Sequence, residues 1–98
     1  MTAEEILARA ADLVEDSWAQ GPDGTLSFEH GPYCAGIAMQ IAAAGQLICD
    51  VDAAWAAFSR EIGVDCLVAI PTWNDAPGRC KEEVATAFRN AKRFLVAP

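Results

Sequence analysis

The sequence predicts an all-α fold, a small bundle of about four helices in a single domain over residues 1–98, with an irregular Pro/Gly-containing turn before the last helix. Three observations favour this fold class. Apolar residues recur at helical spacing in four separate segments. Much of the 53% hydrophobic fraction is alanine, which allows helices to pack closely. The short apolar run at residues 66–70 has no second strand of quality to pair with.

The first predicted helix covers residues 2–19. Thr2 and Glu5 have the spacing of a capping box, in which each residue satisfies a free backbone N–H of the other. Gln20, Gly21 and Pro22 then end the helix, because glycine and proline interrupt helical backbone. The apolar stripe of this helix consists of Ile6, Ala10, Leu13, Val14 and Trp18.

Residues 20–32 are predicted to form a loop, and Gly31-Pro32 to open the second helix. Proline is favoured at the first helical position, where its missing N–H has no partner to lose. Gly45 is the expected C-terminal cap of this helix.

The third helix is predicted to begin at Asp50, a good N-cap residue, and to end at Gly63. Its apolar stripe consists of Val51, Ala54, Trp55, Phe58 and Ile62. The last helix is predicted over residues 80–95, with acidic residues at its start and basic residues near its end, as the helix dipole favours. Its inward-facing residues are Val84, Ala87, Phe88, Ala91, Phe94 and Leu95.

Residues 71–79 do not match any periodic element. Pro71 and Pro77 each remove a backbone donor, and Gly78 favours a positive φ. These features predict a compact turn that holds polar side chains on a rigid frame, which is a common setting for function.

The polar and aromatic residues of this turn are the candidate binding group. An indole, an amide, a carboxylate and a guanidinium together have the composition of a protein-binding hot spot. The residues are Trp73, Asn74, Asp75 and Arg79. A purely structural role is also open: Trp73 would then pack between helices, Asp75 would cap the last helix and Arg79 would pair with a carboxylate.

The net charge of −7 is unevenly distributed. Residues 1–65 hold 11 acidic and 2 basic side chains, whereas residues 66–98 hold 3 acidic and 5 basic ones. The acidic part repels nucleic acid, so we expect no direct nucleic-acid binding. No run reaches the roughly 18 apolar residues of a membrane span, and the acidic N-terminus is unlike a signal peptide. We therefore expect a cytoplasmic protein without membrane contact.

Four cysteines offer the main catalytic alternative; they are Cys34, Cys49, Cys66 and Cys80. They form no closely spaced pair, so the sequence predicts no metal site, and no motif predicts a cofactor. Cys34 is expected in the first turn of a helix, where the dipole favours a thiolate. His30 is the only histidine that could act as its base, which makes Cys34 and His30 the candidates for a cysteine-dependent hydrolase.

Three pieces of the sequence resemble a family of small proteins of unknown function from actinobacteria and their bacteriophages. The most specific piece is residues 73–79, Trp-Asn-Asp-Ala-Pro-Gly-Arg. Residues 18–21, Trp-Ala-Gln-Gly, and residues 33–35, Tyr-Cys-Ala, are similar to the family's first-helix end and second-helix opening. Cys80 departs from the pattern, which usually has threonine there to cap the last helix. The resemblance implies a phage or actinobacterial source and brings no known activity.

The function expected from these observations is that of a small, acidic, phage-encoded interaction protein in the host cytoplasm. It would bind a bacterial host protein and alter its activity, with residues 73–75 and Arg79 as the contact group. A structural virion component is a variant of this expectation. The alternative from another class is a hydrolase that uses Cys34.

Overall fold

A computed structural model describes residues 1–20, 32–65 and 69–95 of the chain. Within these ranges the fold is all-α, as predicted, and the only β-type contact is one isolated bridge between Trp18 and Tyr33. The helices are α1 (Ala3–Asp16), α2 (Ala35–Ala43), α3 (Ile48–Ile62), α4 (Ile70–Asn74), α5 (Lys81–Asn90) and a 3-10 helix (Ala91–Phe94).

Helix α1 is the centre of the bundle, since it contacts α2, α3 and α5. The predicted capping box is present: the Glu5 backbone N–H donates to Thr2 Oγ1 at 3.2 Å, and the Thr2 backbone N–H donates to Glu5 Oε1 at 2.8 Å. The buried stripe comprises Ala3, Ile6, Leu7, Ala10, Ala11 and Val14. Three alanines in this stripe allow the neighbouring helices to approach α1 closely.

Helix α2 begins at Ala35, with Cys34 as its N-cap residue, and not at Gly31-Pro32 as predicted. The start is delayed because Tyr33 is extended and paired with the chain that follows α1. Its N–H donates to Ser17 O at 2.6 Å, and its carbonyl accepts from the Ala19 N–H at 3.2 Å. This tertiary pairing overrides the local preference of proline for a helix start.

Helix α3 also begins earlier than predicted. Its N-cap residue is Leu47, whose carbonyl accepts from the Val51 N–H at 3.0 Å, so the first turn is already closed before Asp50 could cap it. Asp50 instead lies within that turn, where the helix dipole still favours its negative charge. Gly63 ends the helix at φ 76°, as predicted, because glycine adopts left-handed backbone without strain.

The segment predicted as an irregular turn contains a short helix. Helix α4 covers Ile70–Asn74, with Pro71 in its first turn, where proline is tolerated. The chain then turns through Gly78, at φ 83°, into α5. Helix α5 ends at Asn90, and the last part of the predicted helix is the 3-10 helix.

An aromatic group closes the core between α3, α4 and α5. The Phe58 ring stacks on the Phe88 ring with centroids 4.1 Å apart, and Trp73 meets Phe58 edge to face at 5.8 Å. An edge-to-face contact such as that of Trp73 with Phe58 stabilises a fold by about 0.5–1.5 kcal/mol beyond the area it buries. No helix among the described residues is long and apolar enough to cross a membrane.

Candidate functional site

The three sequence pieces singled out by resemblance meet at one place in the structure. The residues after α1 (18–20), the residues that open α2 (33–35) and the turn around α4 (73–79) are tied together by hydrogen bonds. We call this assembly the junction. It joins chain segments that lie up to 56 positions apart in sequence.

Asn74 is the centre of the junction and has no exposed surface. Its Oδ1 accepts from Trp18 Nε1 at 2.7 Å and from the Ala35 backbone N–H at 3.0 Å. Its Nδ2 donates to Ala19 O at 3.4 Å and to Asp75 Oδ1 at 3.1 Å. The orientation of the amide is fixed because both groups facing Oδ1 can only donate. The Asn74 side chain therefore connects α4 to the residues that follow α1 and to the start of α2.

Gln20 adds a second tie between the end of α1 and the turn. Its Nε2 donates to Ala76 O at 2.8 Å and to Asn74 O at 3.2 Å. Asn74 is the last residue of α4, so its carbonyl has no helical donor, whereas the Ala76 carbonyl also accepts from the Arg79 N–H at 3.0 Å. The glutamine side chain thus supplies to the Asn74 carbonyl the donor that a longer helix would have provided.

Arg79 connects the turn to α5. Its guanidinium lies 4.2 Å from the centre of the Trp73 ring, its Nε donates to Trp73 O at 3.1 Å, and its Nη1 lies 3.1 Å from Glu83 Oε2. A cation over an indole at this distance is attracted by the electron-rich ring face. The arginine side chain is 21% exposed, so this stack lies at the protein surface.

Glu83 completes the start of α5. Its Oε1 accepts from the Cys80 backbone N–H at 3.2 Å, which is one half of a capping box. Hydrogen bonds from the Cys80 side chain and backbone, and then the charge of Arg79, hold the pKa of the Glu83 carboxyl below its ordinary value. Cys80, and not Asp75, occupies the N-cap position of α5.

A surface cleft of about 370 Å³ runs between the turn and α5. Trp73 and Arg79 form one wall, and Glu82 and Glu83 lie along α5. The remaining lining residues are Glu61, Thr86, Ala87 and Asn90. Three carboxylates against the single guanidinium of Arg79 give the cleft an excess of negative charge.

The four candidate binding residues therefore occupy different positions. Trp73, Asp75 and Arg79 are half-buried at the surface of the junction, and Trp73 and Arg79 line the cleft. Asn74 lies inside, where it holds the turn in shape and has no surface for a partner to contact.

The catalytic candidates are placed only in part. Cys34 is half-buried at the N-cap of α2, and its Sγ accepts from the Ile37 N–H at 3.4 Å. His30 lies outside the described residues, so the Cys34–His30 pair stays a prediction. Among the described residues no group of three or more potential ligands could hold a metal ion.

Sequence reasoning missed the role of Gln20 and the surface position of two apolar residues. Gln20 is predicted to help end the first helix and is part of the Trp-Ala-Gln-Gly resemblance, but neither prediction includes its hydrogen bonds to the turn. Leu47 and Ile48 are 70% and 76% exposed at the start of α3. The signal for them was two adjacent aliphatic residues between Gly45 and Asp50, outside the apolar stripe of the helix.

Comparison with families of proteins matches residues 1–94 to the model of DUF6197, a family of unknown function. No curated protein and no solved structure gives a significant match.

Proposed function

The chain belongs to the DUF6197 family of unknown function, and from that premise we propose that it is a small interaction protein that binds a bacterial host protein and alters its activity. The observation that carries this proposal is the cleft between the turn and α5. It is the place where Trp73 and Arg79, the two residue types most typical of binding hot spots, reach the surface together.

The contact surface proposed here is the outer side of the turn. Trp73 and Arg79 offer a flat, stacked pair to a partner, and Asp75 lies beside them in sequence at the end of α4. Asn74 acts from inside, because its hydrogen bonds keep this surface in one shape before the partner arrives. A surface that is already ordered loses less conformational entropy on binding, which favours affinity.

The charge of the cleft indicates the chemistry of the partner. Glu61 is paired with Arg93 at 2.9 Å and Glu83 with Arg79 at 3.1 Å, whereas Glu82 is exposed on α5. A basic side chain from a partner would add a positive charge beside Glu82. We therefore expect a protein segment with lysine or arginine to enter the cleft, and we expect salt to weaken the complex.

Affinity capture from an actinobacterial lysate tests the proposal, with bound proteins identified by mass spectrometry. The variant Glu82→Arg replaces an exposed carboxylate by a guanidinium, which cancels the excess negative charge of the cleft without changing a buried residue. The matched control is Asp16→Arg, which makes the same change on α1, outside the lining of the cleft. We expect one host protein to be captured by the wild type and by Asp16→Arg, and to be lost with Glu82→Arg.

Equal capture by both charge-reversal variants would move the contact surface away from the cleft. A wild-type chain that captures nothing would contradict the interaction proposal itself. Circular dichroism of each variant confirms that a lost partner reflects the changed surface and not an unfolded chain.

A further inference from the structure

A small apolar patch lies at the other end of α1 from the junction. Leu47 and Ile48 are 70% and 76% exposed, and Met1, whose N-terminal ammonium donates to Gln46 Oε1, is 44% exposed. Cys49 is exposed next to them in sequence. Met1, Leu47 and Ile48 are the large hydrophobic side chains that are exposed to solvent among the described residues. We call Met1, Leu47, Ile48 and Cys49 the apolar patch.

The local structure gives no reason for aliphatic residues at these positions. Leu47 is the N-cap residue of α3 and makes no side-chain cap hydrogen bond. Serine, threonine, aspartate or asparagine at an N-cap stabilises a helix more than an apolar residue does. Exposed aliphatic residues that lower both local stability and solubility are expected where a protein binds a partner. We therefore interpret the apolar patch as a contact surface for a partner.

The charges around the patch select among possible partners. Asp50 and Asp52 follow it in α3, and Glu4 and Glu5 lie in the first turn of α1. These four carboxylates outnumber the N-terminal ammonium of Met1, which donates to Gln46. Nucleic acid and anionic lipid would be repelled by these carboxylates. In a symmetric pair of chains, Asp50 and Asp52 would face their own copies, and a net charge of −7 on each chain would add further repulsion. A basic protein surface is the partner that these charges favour.

We propose that Leu47 and Ile48 insert into an apolar pocket with a basic rim on the partner protein. This inference rests on the proposed function and gives it a second contact, at the end of α1 away from the cleft. Burial of the two aliphatic side chains supplies affinity, and the surrounding carboxylates supply orientation and a fast association rate.

The test measures binding of the purified, captured partner to four forms of the chain by titration calorimetry. The forms are the wild type, Leu47→Ser/Ile48→Ser, Asp50→Asn/Asp52→Asn, and Ala56→Ser as a matched control on the exposed face of α3. We expect the double serine variant to bind about 30-fold or more weakly, because two buried aliphatic contacts are lost. The double asparagine variant should lose part of the salt dependence, and Ala56→Ser should bind like the wild type.

Each other result overturns the inference and separates it from the proposed function. A partner that is lost with Glu82→Arg but binds the double serine variant normally leaves the cleft as the contact and removes the patch. A chain that captures no partner contradicts both proposals. Light scattering that shows a dimer dissociated by Leu47→Ser/Ile48→Ser would assign the patch to a second copy of the chain instead.

Discussion

The side chains near the two ends of α1 differ in burial and in hydrogen bonding. At the C-terminal end, the junction directs its polar side chains onto one another: Asn74 alone accepts two hydrogen bonds and donates two, and it is completely buried. At the N-terminal end, the apolar patch leaves Leu47 and Ile48 in water. The most distinctive sequence motif thus contributes its buried asparagine to the fold, whereas Leu47 and Ile48, which belong to no motif, are the more exposed side chains.

The largest effect is expected at the junction. Asn74→Ala leaves the Trp18 indole N–H and the Ala35 backbone N–H without an acceptor in a buried site, and should lower the free energy of unfolding by about 4 kcal/mol. Urea denaturation measures the change. Asn90→Ala, at the exposed end of α5, is the control and should change it by less than about 0.5 kcal/mol. A loss below about 1 kcal/mol for Asn74→Ala would mean that the junction does not hold the fold together.

Replacement of two glycines by alanine compares the backbone stiffness near the two ends of α1. Gly78 in the turn and Gly45 between α2 and α3 have φ values of 83° and 77°, and an added Cβ would meet no atom within 4 Å at either site. Alanine is therefore penalised only by the left-handed backbone, by about 1–2 kcal/mol. We expect the full penalty for Gly78→Ala and about half of it for Gly45→Ala, whose turn has fewer ties and can relax. Thermal unfolding of the two variants distinguishes this result from equal penalties.

A smaller effect on stability is expected at the start of α5, and this effect should depend on pH. Hydrogen bonds from Cys80 and the charge of Arg79 lower the pKa of Glu83 from 4.5, so its ionised form is favoured in the folded chain. This stabilisation is present above pH 4.5 and is lost as the pH falls through the lowered folded pKa. Glu83→Gln should therefore unfold at a lower temperature than the wild type near neutral pH, and the difference should vanish in acid.

The control for the pH experiment is Glu82→Gln, which removes a neighbouring charge without touching the capping box. A difference between wild type and Glu83→Gln that persists unchanged into acid would show that the carboxylate charge is not what stabilises this helix start.

The smallest effect on stability is expected at the apolar patch. Leu47→Ser/Ile48→Ser removes side chains that are mostly in water already, and serine at the N-cap of α3 adds a cap hydrogen bond. The free energy of unfolding should therefore change by less than about 0.5 kcal/mol or rise slightly. A large loss would place these residues in the fold and remove the contrast between the two ends.

Local patterns in the sequence predicted the elements well. Thr2 and Glu5 form the expected capping box, and Phe58 and Ala54 of the predicted α3 stripe are buried in the core. These features depend on residues within four positions of each other, for which the geometry of a helix fixes the outcome. The predicted start of α2 was wrong because Tyr33 pairs with Ser17 and Ala19, a tertiary contact that local preferences do not contain. The predicted start of α3 was wrong because the first turn already closes at Leu47, which is not a favoured N-cap residue.

The junction could be suspected but not built from sequence. The resemblance marked residues 18–21, 33–35 and 73–79 separately, and nothing in their spacing places them in contact. The bonds from Trp18 and Gln20 to Asn74 and Ala76 span 54 to 56 positions, and such pairings follow from the packing of whole helices. The binding role of Trp73 and Arg79 stays a prediction, for which the structure supplies the shape of the cleft.

The central position of Asn74 in the junction has a consequence for how the chain acquires its fold. Its partners near residues 18–20 and at Ala35 are synthesised 39 to 56 residues earlier than Asn74 itself. Closing such long loops is slow compared with helix formation, so α1, α2 and α3 are expected to form and pair loosely before they are fixed. During synthesis, the N-terminal helices are therefore expected to lack the hydrogen bonds of Asn74 until that late residue has been added to the chain.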